Sequence, residues 1–166
     1  MNRFGGAEDN TSPKASKGKK DYGTPKSQAE KATYHEDGEV YVPSSWLISS
    51  IRNAAGLFKS PGKRSSLKNT AGSALVCPEE KIFIHQTLKD IEVDSRGAVI
   101  QRARIVRHRP KFSEWELEFS LMIDEDLLDT KTVEAIIIEA GRSQGIGDYR
   151  LNKGGPFGSF EVVSVK

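Results

Sequence analysis

One cysteine, Cys77, is the whole thiol content of these 166 residues. An internal disulfide is excluded, and a single unpaired thiol suits a reducing compartment and a small buried side chain. As a nucleophile Cys77 would need a base and an anion site, and no local signature supplies either. Histidine is scarce too: His35, His85 and His108 share no motif, and no His/Cys cluster stands at zinc spacing. No apolar run approaches the ~20 residues of a membrane-spanning helix. The opening MNRFGGAEDN lacks the apolar core of a signal peptide. These absences predict a cytoplasmic protein with no membrane partner, no cofactor and no metal.

Acid is missing in two long stretches. Between Tyr41 and Pro78 there is none, against Arg52, Lys59, Lys63, Arg64 and Lys68. Between Ser95 and Ser113 there is again none, against Arg96, Arg102, Arg104, Arg107, Arg109 and Lys111. The formal net charge of +2 says little; its segregation is a footprint of polyanion binding, or of a solvated face balanced by acids from elsewhere.

Residues 1–33 read as a disordered basic tail, too polar to offset their ordering entropy. The lysine-rich KASKGKK within it could touch phosphates or simply keep the chain in solution. Order is expected from Tyr34 as a single domain over 34–166. GEVYVP is a short strand candidate. PSSWLISSIRNAAGLF reads as a helix capped by Ser44 or Ser45, burying Leu47, Ile51, Ala54 or Ala55, and Phe58, with Ser49, Ser50, Arg52 and Asn53 largely off that stripe. An insertion of about 60–97 follows, with SALVC and KIFIHQ as strands around the turn PEE, and DSRG as a second turn.

AVIQRARIVRH and EWELEFSLMID then flank the turn RPKFS. Trp115, Leu117, Phe119, Leu121 and Ile123 alternate with polar residues or Met122, a period of two that marks a half-buried antiparallel strand. Closure near residue 111 sets Arg102 and Arg104 opposite Ser120 and Glu118, as cross-strand ion pairs, and His108 opposite Glu114. Arg107, Arg109 and Lys111 near the hairpin tip are then the cations free for a ligand. DEDLLDTKTVEAIIIEAG is a second helix, with Asp129 or Thr130 as cap, Val133, Ile136, Ile137 and Ala140 buried, and Gly141 as the glycine past its end. FGSFEVVSV closes the chain as a strand. The element order points to an α+β fold, a ferredoxin-like (RRM-like) antiparallel sheet with two helices on one face. EVYV is too short and too close to the helix to cross that sheet as its first strand.

Six of the fifteen glycines fall in GRSQGIGDYRLNKGGPFGSFEV, residues 141–162, between the last helix and the last strand. Glycine lets backbone amides approach an anion and permits positive φ. Arg142, Arg150 and Lys153 are interleaved there, and Tyr149 offers a stacking surface. That mixture suits a nucleic-acid backbone with an unstacked base; a tolerant surface loop would look similar. A mononucleotide P-loop is excluded, because GKS or GKT is absent and the segment follows a helix.

Two segments carry a family resemblance. YVPSSWLISSIRN resembles the first-helix motif of the RAMP superfamily, repeat-associated RNA-binding proteins that include the backbone subunits of CRISPR effector complexes. AGRSQGIGDYRLNKGGPFGSFEV is similar to that superfamily's glycine-rich loop. The resemblance spans roughly residues 39–165. It implies a ferredoxin-like fold that binds single-stranded RNA through Ser44, Ser45 and Arg52 at the helix and Gly145, Gly147, Arg150 and Gly158 at the loop; the function expected from it is non-catalytic binding of a single-stranded nucleic acid, RNA or DNA, although one branch of the superfamily processes RNA. It also implies side-by-side, filament-like assembly with itself or related subunits. The helix motif departs from the pattern at Ser49 or Ser50, where the superfamily has glycine. The chain is shorter than most such subunits, as a solitary, virus-borne relative would be, and starts where the superfamily's first strand would be finishing.

Two other functions fit the residues. One is a metal-independent ribonuclease with His35, His85 or His108 as general base. The other is a structural or inhibitory mimic of a subunit that binds a protein surface.

Overall fold

The computed structural model describes residues 23–100 and 103–166. Most of the expected tail, and Arg102, lie outside them. Two compact units form: one from the described part of Met1–Tyr41 with Phe83–Leu117, the other from Val42–Ile82 with Glu118–Lys166. The class is α+β, with four α-helices and three small antiparallel sheets among the described residues.

In the first unit, helix α1 (Pro25–Lys31) occupies the end of the stretch expected as tail. Thr24 accepts a hydrogen bond from the Ser27 amide (3.2 Å) and Pro25 presets the first helical φ. Ala29 is fully buried, and the helix packs on a long two-stranded ribbon. Strands β1 (His35–Glu36) and β2 (Glu39–Pro43) form a hairpin, with His35 opposite Val40. Asp37 (φ 51°) and Gly38 (φ 90°) make its two-residue turn, the Asp-Gly pair that a type I′ turn selects. Tyr41 packs between Tyr34 (5.8 Å) and Phe83 (5.9 Å).

The ribbon pairs β5 (Glu92–Ile100) with β6 (Ala103–Lys111) over nine rungs. This overturns the expected hairpin with residues 114–123. The supposed turn DSRG lies inside β5, and RPKFS is not a turn at the tip, since Arg109–Lys111 end β6. Both strands are edges, so Pro110 fits opposite Val93 without breaking an interior ladder. His108 consequently faces Ser95, with Nδ1 2.7 Å from the hydroxyl, rather than Glu114.

The second unit is built on α2 (Ser44–Ala55), α3 (Lys68–Ala74) and α4 (Thr130–Glu139). Leu47, Ile51, Ala54 and Ala55 on α2 are fully buried, as the spacing requires. Neither Ser44 nor Ser45 caps this helix. Pro43 occupies the cap position without a side-chain bond, because the helix starts one residue earlier than a serine cap would need. Ser50, expected largely off the buried stripe, is 2% exposed. Ser73 and Ala74 of the expected strand SALVC belong instead to α3, whose Ala71 and Ala74 suit a buried helix face. Only β3 (Leu75–Val76) remains extended, paired with β7 (Met122–Ile123). KIFIHQ does form a strand, β4 (Lys81–Thr87), which lies beside β2 in a sheet ordered β1–β2–β4.

Residues 114–121 keep their alternation of exposure but join no ladder among the described residues. Residues 157–165, expected as the last strand, also join no named strand; they alternate only from Gly158 to Val162, and Val163, Ser164 and Val165 are all exposed. The pattern reported the pleat of the chain and not its pairing.

Asp129 caps α4, accepting from the Thr132 amide (3.0 Å) and hydroxyl (2.6 Å). The Thr132 hydroxyl, followed by its amide, holds this carboxyl below the ordinary aspartate range. Folding therefore favours the charged form. The contribution is complete above an unfolded pKa of about 3.9 and is lost as pH falls through the lower folded value. Asp129→Ala is expected to lower the melting temperature at neutral pH. The gap to wild type should close below about pH 4 in melts taken down to about pH 2. A gap that stays constant with pH would remove the cap's charge from the account.

Candidate nucleic-acid interface

The last helix does not stop at Gly141. It widens into a π turn, Ala140–Gln144, in which the Gly145 amide donates to the Ala140 carbonyl (2.9 Å). Gly145, at φ 71°, is what ends it. Gly141 is glycine for another reason: a Cβ there would overlap the Phe160 carbonyl. Likewise a Cβ on Gly155 would overlap the Tyr149 carbonyl, and one on Gly158 the Ile146 carbonyl. At Gly145 it would meet the Gly158 carbonyl oxygen at 2.9 Å. Gly147 (φ 96°) and Gly154 (φ 75°) have open space around them and are required only by backbone conformation.

Glycine is thus dense here because segment 141–160 folds back on itself at backbone-to-backbone distance. Several of its amides are satisfied from within. Ile146 donates to the Gly158 carbonyl (2.8 Å), Gly155 to Arg150 (3.1 Å), and Phe157 to Tyr149 (3.3 Å). Of the two glycines expected to offer open amides, Gly145 donates its amide to the Ala140 carbonyl, and Gly158 lends its carbonyl to Ile146. Arg150 braces this scaffold, its Nη1 donating to the Gly147 carbonyl (2.7 Å) from a part-buried position. Tyr149 packs edge-on against Phe157 (6.3 Å) and is 40% exposed.

The cations on this scaffold are differently placed. Arg142 on the π turn and Lys153 on the 3-10 turn Leu151–Lys153 are exposed, and neither makes an ion pair among the described residues. The π turn packs on α2, which carries Arg52, and on the 3-10 turn. The exposed Arg52 guanidinium lies over Gly72 of α3, so closely that a Cβ at Gly72 would sit 2.9 Å from it. Gly72 was not singled out from the sequence, because a mid-helix glycine shows its purpose only when its neighbour is placed. The structure therefore brings Arg52, Arg142, Tyr149, Arg150 and Lys153 onto contiguous elements. Ser44 and Ser45 lie at the other end of α2, about 12 Å from Arg52 along the helix axis.

Arg107, Arg109 and Lys111 belong to the first unit, in the lower half of β6 rather than at a hairpin tip. Lys111 is not free: Nζ meets Glu92 at 2.8 Å, a carboxylate that also accepts from Ser113 (3.0 Å). Lys111, followed by Ser113, holds the Glu92 carboxyl below its ordinary range. Arg109 is set opposite Asp94 and is also engaged. Arg107 alone of the three is exposed without a hydrogen bond or ion pair among the described residues.

Cys77 donates to a Glu79 oxygen (3.2 Å). Burial first, then this carboxylate, push its thiol above the ordinary value, the opposite of an activated nucleophile. His85, taken from sequence as equally a packed residue, is exposed in β4 at φ 54°. His35 lies exposed on β1. A cleft of about 380 Å³ in the second unit is lined by Phe58, Leu67, Leu128, Glu125, Asp126 and Asp129. Lys59 lines it too, but the three acids outnumber this one cation. Among the described residues, no helix is long and apolar enough to cross a membrane.

Compared with known proteins, the chain matches no family model, no curated protein and no solved structure.

Proposed function

We propose that this chain is a non-catalytic protein that binds single-stranded RNA on the face of its second unit formed by α2, the π turn and the glycine-rich segment. One observation carries the reading. Arg52, Arg142 and Lys153 are exposed on elements that touch in sequence, without ion pairs among the described residues, and Tyr149, between the two turns in the chain, is 40% exposed. Cations follow a phosphate chain and an aromatic face takes an unstacked base. The resemblance to the RAMP superfamily is part of the proposal, and so is its ferredoxin-like plan. The run of helix, hairpin, helix and final extended segment supports that plan. Side-by-side assembly along one RNA follows as its corollary.

Fluorescence anisotropy with a labelled oligouridylate of about thirty nucleotides, across a salt series, tests it. Affinity should fall steeply with salt. Arg142→Ala with Lys153→Ala should cut it about tenfold or more and lower the salt slope by about 1.4, if each cation meets one phosphate. Gly72→Ala should weaken binding in the same direction by shifting Arg52, while the fold survives. A double variant that binds like wild type, or no binding at low salt, overturns the proposal. A gel run afterwards should show intact RNA; cleaved RNA would favour the ribonuclease.

A further inference from the structure

We propose that Arg96 and Arg107, opposed on the β5–β6 ribbon, form a clamp for one phosphate group, a second contact that does not use the glycine-rich segment. It rests on the RNA reading above only for the identity of the polymer.

One face of the ribbon carries three successive charged rungs. Glu92 faces Lys111 and Asp94 faces Arg109, pairs of opposite sign. The third rung sets Arg96 against Arg107. Side chains directly opposed across antiparallel strands start about 5 Å apart at Cβ, and like charges there repel. Asp94 offsets part of this repulsion, its Oδ2 lying 2.6 Å from Arg96 Nε. That bond orients the guanidinium, which makes a further contact as well. The Arg96 side chain remains 42% exposed, and Arg107 is exposed with no partner among the described residues. Glu92 is held by Lys111 and Ser113, so it does not reach this rung as a free acid. The Ser95–His108 pair belongs to the opposite face by alternation. Two guanidinium groups at one rung match the paired oxygens of a phosphodiester, which arginine binds through parallel N–H bonds. Bound phosphate converts the repulsive rung into an attractive one. Sequence alone hid the clamp, because Arg96 was assigned to a turn and Arg107 to a hairpin tip.

Three measurements decide it. First, Arg96→Ser and Arg107→Ser should each weaken oligouridylate binding about fivefold and lower the salt slope by about 0.7. Together they should cost less than the product of the two, since both serve one phosphate. Second, Lys63→Ala, an exposed cation outside both sites, should leave binding unchanged. Third, without RNA at low salt, Arg107→Ser should raise the melting temperature by about 1–3 °C by removing the repulsion, and high salt should erase the gain. Independent, multiplicative losses no larger than that of Lys63→Ala would overturn the clamp in favour of diffuse charge. If wild type binds no oligouridylate, the function proposed above fails, and pyrophosphate reads the clamp by itself. Pyrophosphate should raise the melting temperature of wild type but not of Arg107→Ser. Equal shifts for the two would overturn the clamp as well.

Discussion

Replacing Gly158 with alanine is expected to destabilise the second unit by about 3 kcal/mol or more, and to abolish RNA binding with it. Two costs combine. Gly158 sits at φ 73°, where an L side chain costs about 1–2 kcal/mol. Its Cβ would also overlap the Ile146 carbonyl and approach the Ile146 amide nitrogen at 2.9 Å. Backbone atoms cannot swing aside as a side chain can, so the overpacking cost of about 1–3 kcal/mol adds in full. The bond from the Ile146 amide to the Gly158 carbonyl sits at the same crossing and would be disturbed by the added Cβ. Gly147→Ala is the control. It has positive φ but open space, and should cost only about 1 kcal/mol. Denaturant unfolding of both variants measures the difference. If Gly158→Ala were as stable as wild type yet failed to bind RNA, glycine would be there for the ligand's approach, and the packed scaffold would be the wrong account.

That contrast shows where sequence was informative. The glycine density between residues 141 and 158 was visible, and so was its place after a helix. What it was for was not. Open amides for an anion and close backbone crossings both demand a missing Cβ, and only the position of Phe160, Tyr149 and Ile146 separates them. The helices around Leu47 and Ile51, and around Val133 and Ile136, were legible because burial follows directly from a 3.6-residue period. The ribbon was not. A period of two says which residues share a face and is silent on the partner strand. The pattern at Trp115–Ile123 was stronger than that at Glu92–Ile100, so the wrong neighbour was chosen for β6. Correcting it moved His108 from Glu114 to Ser95, gave Lys111 to Glu92, and exposed the Arg96–Arg107 rung. Short two-residue pairings such as β3 with β7 leave no periodic trace at all.

Ser50→Ala is expected to stabilise the protein by about 1–2 kcal/mol and to leave RNA affinity unchanged. Ser50 stands three residues after Leu47 and four before Ala54, within the buried stripe of α2, and is 2% exposed. Among the described residues its hydroxyl has no hydrogen-bond partner, not even the carbonyl one turn back that a helical serine commonly uses. A buried hydroxyl that exchanges water for nothing costs about 1–3 kcal/mol. Alanine removes that cost, gains about half a kcal/mol in helix propensity and vacates little volume. With about 2–4 °C per kcal/mol for a chain of this size, the melting temperature should rise by several degrees. Arg52 is exposed while Ser50 is buried, so the seat over Gly72 should persist and binding should hold. The opposite result is equally informative. A destabilised Ser50→Ala would mean that the hydroxyl holds a buried water bridging α2 to a neighbour, since such waters are costly to remove. Ser50→Gly checks the helix-propensity part of the account. It removes the hydroxyl as alanine does but adds about 1 kcal/mol of helix cost. It should therefore fall below Ser50→Ala by that amount in either case. Only its position relative to wild type reports whether the hydroxyl was a burden or a bond.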